Sequence, residues 1–416
     1  MTIAVLEALT FGLGRMVAAA GKAGERLCLL TGDRDIYRHE LQRLPTNALE
    51  IIDVDTRALT RCSAVLASLP ELRGLICSTD TWMVPGAELA ARFGLPGPNR
   101  ETARVLRDKL AVRRLLHDRN PSLNAAVPVS PGATATTVEK AVGLPAVLKD
   151  SAGTGSRNVW LARTTGQLEL ALAEAAGRSF MGGLFAEPYI TGPLYSAETL
   201  SWEGRTRLLG VSGRLTSARW FGREELLSFP AMLPEPDLAG VEQWVAQVLD
   251  LVGHTRGFAH VEFVWTVKGP ELVEINGRIG GCLAGEAMCR SLGVNVYEAM
   301  VDMALGRAPA LLDAVSDLGA IAARGGGTGA TATVLVYPDR PGTFQRVDGL
   351  EELASHPGSP EWYPTMTIGT RVTDLGDQRA CTGLLLAEGP TTELAVYNAI
   401  SAAHAVRPVM ASAGPP

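Results

Sequence analysis

Short apolar runs alternate with stretches of helical periodicity over the first hundred residues. Ile3–Leu6, Arg26–Leu30, Leu49–Val54 and Leu72–Cys77 read as strands, and Gly14–Ala20, Arg57–Leu69 and Val84–Phe93 as helices. Such alternation predicts parallel strands with crossover helices. The breaker-rich GLPGPN (Gly94–Asn99) closes this unit, 1–97. Apolar positions set among charges then predict one helix over Arg100–Leu116. Strands follow at Ala146–Lys149, at Asn158–Ala162 and up to Glu187, with a helix at Gln167–Ala176. After a turn at Thr191–Pro193 come strands at Tyr195–Ser201 and Leu208–Val211, an amphipathic helix at Leu238–Val252, and strands at Gly257–Trp265 and Glu271–Asn276. Short strands and turns beyond 313 predict a small α+β unit, 313–416, with RGGGTG (Arg324–Gly329) as a flexible joint. The fold class is therefore α/β and α+β in three parts: 1–97, 98–312 and 313–416.

The strongest chemical signal is GFAHVEFVWTVKGPELVEINGRIGG, 257–281. Folded as a hairpin about Lys268, with Gly269 and Pro270 as breakers, it sets Glu262 opposite Glu274 and His260 opposite Asn276. Alternation puts all four on one face, with Ala259, Val261, Phe263 and Trp265 on the other. Two carboxylates directly opposed destabilise a sheet unless a cation lies between them. Two carboxylates and an amide oxygen are hard ligands, which favour magnesium or manganese over zinc. Magnesium commonly completes its shell with substrate phosphate, so the set suggests a nucleotide.

A second signal is PAVLKDSAGTGSRNV, 145–159. A strand delivers Lys149 into a loop holding Gly153, Gly155 and Ser156. Glycines let backbone N–H groups approach an anion, and the lysine adds a point charge. No GK[ST] follows, so this is not a P-loop. By itself it reads equally well as a glycine-rich hairpin. GLGR at Gly12–Arg15 lacks the further spacing of a dinucleotide fingerprint.

Composition narrows the classes. The 416-residue chain carries 38 Lys and Arg against 44 Asp and Glu, a net charge of −6, which argues against a nucleic-acid partner. No apolar run approaches the roughly 18 residues of a membrane span. The opening residues lack the basic and small-residue features of a signal peptide. Six cysteines without a CxxC pair read as reduced thiols, so the expected location is cytoplasmic. Histidines form no HExxH and no cluster with cysteine, which argues against a zinc site.

In this order the segments resemble the ATP-grasp superfamily, in particular its carboxylate–amine ligase branch, which includes bacterial L-amino-acid (dipeptide) ligases. The resemblance covers about 95–310 and extends more loosely to both flanks. It implies an ATP-grasp fold with a mobile lid near 125–190 and a C-terminal unit packed back over the cleft. GLPGPNRETARVLRDKLAVRRLL is similar to the family's helix with a phosphate-contacting lysine, here Lys109. VLKDSAGTGS is similar to the strand lysine and glycine loop over the phosphates, which assigns Lys149, Gly153, Gly155 and Ser156. FAEPYITG resembles the hinge: Glu187 would accept from the adenine amino group, and backbone near Tyr189 and Ile190 would bond the ring. HVEF and EINGRIGG resemble the metal segments, in which Glu262, Glu274 and Asn276 hold two magnesium ions and Arg278 contacts transferring phosphate or acyl substrate. Many relatives bind ribose with a glutamate seven residues after the hinge glutamate. Leu194 stands there, so either that contact is lost or Glu198 supplies it. Asp150 replaces the proline that many relatives have after the strand lysine.

The implied activity joins a small carboxylate to an amine, with amino acids as expected substrates, by way of an acyl phosphate made from ATP. Gly280 and Gly281 would present N–H groups to the oxyanion. His260 is either a base for the amine or a hydrogen-bonded structural residue. Arg219 and Arg223, with Trp220 and Phe221, fall where relatives have substrate-contacting loops; Arg219 or Arg223 either pairs with a substrate carboxylate or is a surface arginine. Other ATP-grasp chemistry (carboxylase, formyl-phosphate transferase) and a nucleotide-binding regulator remain as alternatives. The resemblance implies a homodimer, and no nucleic-acid or membrane partner is expected.

Overall fold

A computed structural model describes residues 1–411 except 120, 123, 232, 234–237 and 315–328. The RGGGTG joint lies outside the described residues.

Strands β1 (Thr2–Leu6), β2 (Arg26–Thr31), β3 (Glu50–Asp53) and β4 (Leu72–Ile76) form a parallel sheet in the order β3-β2-β1-β4. Its central strand is buried on both faces, which explains its unbroken apolar reading. Ile3 and Val5 pack towards helix Leu13–Lys22, while Ala4 and Leu6 pack towards Cys62 and Leu66 of helix Leu59–Ser68.

The region expected as a lid contains a second sheet, of β5 (Val127–Pro128), β6 (Ala146–Asp150), β7 (Val159–Ala162) and β8 (Leu184–Pro188), antiparallel in the order β5-β8-β6-β7. Helices Ala135–Val142 and Thr165–Ala176 bury Val138 and Leu168 against Leu148 and Ala186. Thr134 and Thr164 cap their first turns.

The central sheet contains β9 (Leu194–Trp202), β10 (Arg205–Thr216), β11 (Glu224–Phe229), β12 (Gly257–Thr266) and β13 (Gly269–Asn276). The C-terminal unit adds β14 (Ala330–Val336), β15 (Gly342–Asp348), β16 (Glu361–Pro364), β17 (Arg371–Val372), β18 (Gly383–Gly389) and β19 (Arg407–Ala411). The large sheet runs β13-β12-β9-β10-β11-β14-β18-β16, so the C-terminal strands extend the central sheet through the β11–β14 ladder. Strands β17, β15 and β19 form a separate small sheet.

One local expectation changes. The predicted helix at 100–116 is two helices, Arg100–Leu106 and Lys109–Asp118. Asp108 breaks it by accepting from the Leu110 and Ala111 amides at 3.0 and 3.2 Å. Residues 214–216 end β10 and Glu224–Phe229 form β11, so Arg219, Trp220, Phe221 and Arg223 lie in the loop 217–223 between them. Among the described residues, no helix is long and apolar enough to cross a membrane.

Candidate active site

The β12–β13 hairpin has the predicted register where it matters. His260 pairs with Asn276 and Glu262 with Glu274. One residue further, Phe263 pairs with Leu272, so Val273 is bulged out of the ladder. The carbonyl freed there accepts from Arg113 on helix Lys109–Asp118. Each of the facing carboxylates has a cation beside it: Arg214 Nη1 lies 2.6 Å from Glu262 and Lys109 Nζ 3.0 Å from Glu274. Burial opposes charge on Glu262, but Arg214 and His260 hold its carboxyl well below the usual range.

Both glutamates line a cleft between the lid and the central sheet. Lys109, Lys149, Gly153–Arg157 and Pro188–Ile190 form other walls, with Val147, Leu194, Val264 and Leu272 as apolar surface. Lys109 Nζ donates to the Gly153 carbonyl at 2.6 Å and Arg107 to Ala152 at 2.7 Å, which ties the helix start to the glycine loop. Asp150 holds the loop from below: its carboxylate accepts from the amides of Ala152, Met181 and Gly182 at 2.8–3.1 Å. Phe221 and Gly222 of the 217–223 loop close the same cleft, with Phe221 set edge-on to Tyr189. Arg223, stacked between Trp220 and Tyr337 at 4.0 and 4.1 Å, anchors that loop.

Beneath the lid sits a buried ionic cluster. Glu187, 2% exposed, pairs with Arg113 at 2.7 Å and with Lys149, and accepts from Asn124 Nδ2 at 3.2 Å. Burial alone would raise its pKa, but Arg113 and Lys149 lower it to about 2. A second cleft abuts the first. It is lined by Leu9–Gly12, Gly280–Leu283, Glu286, Gln378 and Arg379. The two meet where Cys282 Sγ contacts Glu224 at 3.3 Å, each residue lining one of them.

The family model for the ATP-grasp domain matches residues 107–282, and that for the L-amino acid ligase C-terminal domain 2 matches 334–411. Residues 107–282 of this chain therefore form an ATP-grasp domain. The solved L-amino acid ligase from Bacillus licheniformis superposes with a TM-score of 0.80 at 19% identity, covering 99% of this chain and 98% of that one, which establishes the ATP-grasp fold. An uncharacterized protein of Sinorhizobium fredii is 26% identical over 87% of this chain and 73% of its own length. The L-arginine-specific L-amino acid ligase of Bacillus subtilis is 23% identical over 57% of this chain and 59% of its own length.

Against the ATP-grasp expectations, Lys109, Lys149, Gly153, Gly155, Ser156, Glu187, Tyr189, Ile190, Glu262 and Glu274 come together in one cleft. Gly280 and Gly281 face the second cleft. Several residues have surroundings that bear on their expected roles. The Glu187 carboxylate is engaged by Arg113, Lys149 and Asn124. Glu198 lies outside the cleft wall, 1% exposed, and accepts from Ser212 at 2.8 Å and from His260 Nδ1 at 2.9 Å; it holds the histidine and leaves Leu194 at the position expected for ribose. His260 lines neither cleft. Burial works against its charge, yet Glu198 and Glu262 raise its pKa, which suits a positioning residue better than a base. A Cβ on Gly280 would fall 2.6 Å from His260 Nδ1, so only glycine lets that loop lie on the ring. Arg219 is exposed and stacks over Trp220. Arg278 lies outside both clefts, bonded to Asp80 of the N-terminal domain and to the Ile279 carbonyl.

Sequence reasoning missed Arg113, Asn124, Arg214 and Asp80. Arg113 had a visible signal, since it sits four residues after Lys109 on one helix face. The other three acquire their roles only through distant partners.

The donors present fit a divalent cation. Glu262 and Glu274 are hard, facing and in one cleft, and Asn276 is the next pair along the same face. Among the described residues no group of three or more His, Cys, Asp or Glu converges as a metal site. A cation held here would therefore take further ligands from water and phosphate, as magnesium does.

Proposed function

We propose that this ATP-grasp ligase activates a small carboxylate, that of an amino acid, as an acyl phosphate and transfers the acyl group to an amine. One observation carries the reading. A register-locked pair of carboxylates forms part of a cleft whose other wall is a lysine and a glycine loop, and this cleft abuts a second one.

A carboxylate resists amine attack because oxide is a poor leaving group. Transfer of the γ-phosphoryl group to the carboxylate oxygen releases ADP and creates a phosphate leaving group. The amine nitrogen then attacks the carbonyl carbon, the C–O bond to phosphate breaks, and the nitrogen's proton is taken up by the departing phosphate. Glu262, Glu274 and Asn276 would hold magnesium, which neutralises charge on the β- and γ-phosphates and favours in-line transfer. Lys109 and Lys149 add fixed positive charge in a cleft shielded from water. The amides of Gly153–Ser156 would cradle phosphate, and the lid, closed by the 217–223 loop, keeps water from the acyl phosphate. The amides of Gly280 and Gly281 are in reach of the second cleft, where they would serve the tetrahedral oxyanion.

The test is phosphate release from ATP and magnesium with pooled amino acids and small carboxylic acids, with mass spectrometry of the products. Release that needs both a carboxylate and an amine and yields a new amide mass is the expected result. ATP binding with no stimulation by any pool would count against ligation.

A further inference from the structure

We propose that Asn124 reads the exocyclic amino group of the nucleotide base and so makes this chain select adenine over guanine. The inference rests on the nucleotide reading of the first cleft.

Asn124 lines that cleft together with Val147, Val264, Leu272 and Val273, an apolar wall of the kind that takes a flat ring. It is 4% exposed. Its backbone is pinned, because its amide donates to Ser122 Oγ at 3.1 Å. Its side-chain Nδ2 donates to Glu187 Oε2 at 3.2 Å. Glu187 is held ionised by Arg113 and Lys149, and an ionised carboxylate only accepts hydrogen bonds. The orientation of the Asn124 amide is thereby determined: the NH2 must face Glu187, and Oδ1 must face elsewhere. That Oδ1 is buried and has no hydrogen-bond partner. A buried carbonyl oxygen left unpaired is costly, and the group that satisfies it is an N–H donor entering the cleft.

Adenine brings such a donor in its 6-amino group. Guanine brings a 6-carbonyl oxygen, which would set acceptor against acceptor. The asparagine has no way to adapt by flipping, since a flip would turn Oδ1 onto the Glu187 carboxylate. The adenine contact first expected of Glu187 thus passes to the residue that Glu187 orients.

The experiment measures equilibrium binding of the full chain, with magnesium, to ATP, to GTP and to purine riboside triphosphate, which is ATP without the 6-amino group. The wild type should bind ATP at least about tenfold more tightly than either alternative. Asn124→Leu should weaken ATP by about the same factor and leave purine riboside triphosphate unchanged. Asn124→Ser repeats the comparison should the leucine variant not fold. Equal wild-type affinity for ATP and purine riboside triphosphate would overturn the proposal with no variant needed, as would a leucine or serine variant that keeps the full preference. Failure of the wild type to bind any of the three would instead remove the nucleotide reading, and this inference with it.

Discussion

Replacing Glu187 with glutamine isolates the buried ionic cluster beneath the lid. Glu187 and Arg113 are 2% and 1% exposed, so solvent screens neither. A glutamine offers one neutral acceptor where two cations and an amide now converge. Two routes give the size of the loss. Breaking a buried pair by removing one charge costs about 3–5 kcal/mol. Holding the carboxyl at about 2 instead of the ordinary 4.5 corresponds to about 3 kcal/mol of stability at neutral pH. The sign follows from the direction: a depressed pKa stabilises fully above the unfolded value and is lost as pH falls through the folded one. Urea unfolding followed by tryptophan fluorescence should therefore show Glu187→Gln about 3 kcal/mol less stable at pH 7. The gap should narrow as pH drops from about 4.5 towards about 2. A gap below about 0.5 kcal/mol at pH 7, or one that widens on acidification, would refute the reasoning.

Asp150→Ala removes the acceptor for three loop amides, so it should raise the KM for ATP about tenfold while kcat stays within about twofold. An unchanged KM in a phosphate-release assay would show that the loop is ordered by something else. Arg223→Ala empties the stack between Trp220 and Tyr337 and should cost about 1–2 kcal/mol, read as a lower melting temperature with a changed Trp220 emission. A melting curve that overlays the wild type would contradict that account of the 217–223 loop.

The readable parts of this molecule were those in which local chemistry and local geometry agree. The β12–β13 hairpin was legible because its turn residues and its alternation specify one register. The bulge at Val273 was not, since a single extra residue leaves no mark on an alternating pattern this short, and the reason for it, a carbonyl offered to Arg113, comes from another element. Asp108 is a good N-cap, yet apolar spacing ran on past it and hid the break between two helices. Strand β11, EELLSF, was passed over because four successive residues are buried and alternation is lost. The protein partners of Glu187 and Glu198 were not legible in the sequence. Residue type announces a charge, whereas Arg113, Lys149 and His260 reach those carboxylates only through the tertiary fold. The joining of β14 to β11 is equally non-local and had no signature in either segment.

The central claim is that Glu262 and Glu274 act together on a nucleotide and its cation. Phosphate release from magnesium ATP by Glu274→Gln, beside its melting temperature, tests it most directly. Glu274→Gln relieves repulsion with Glu262 but loses the partly exposed ion pair with Lys109, so the melting temperature should fall by no more than a few degrees. Phosphate release should fall at least about a hundredfold. A variant that folds like the wild type and keeps its full rate would contradict the account.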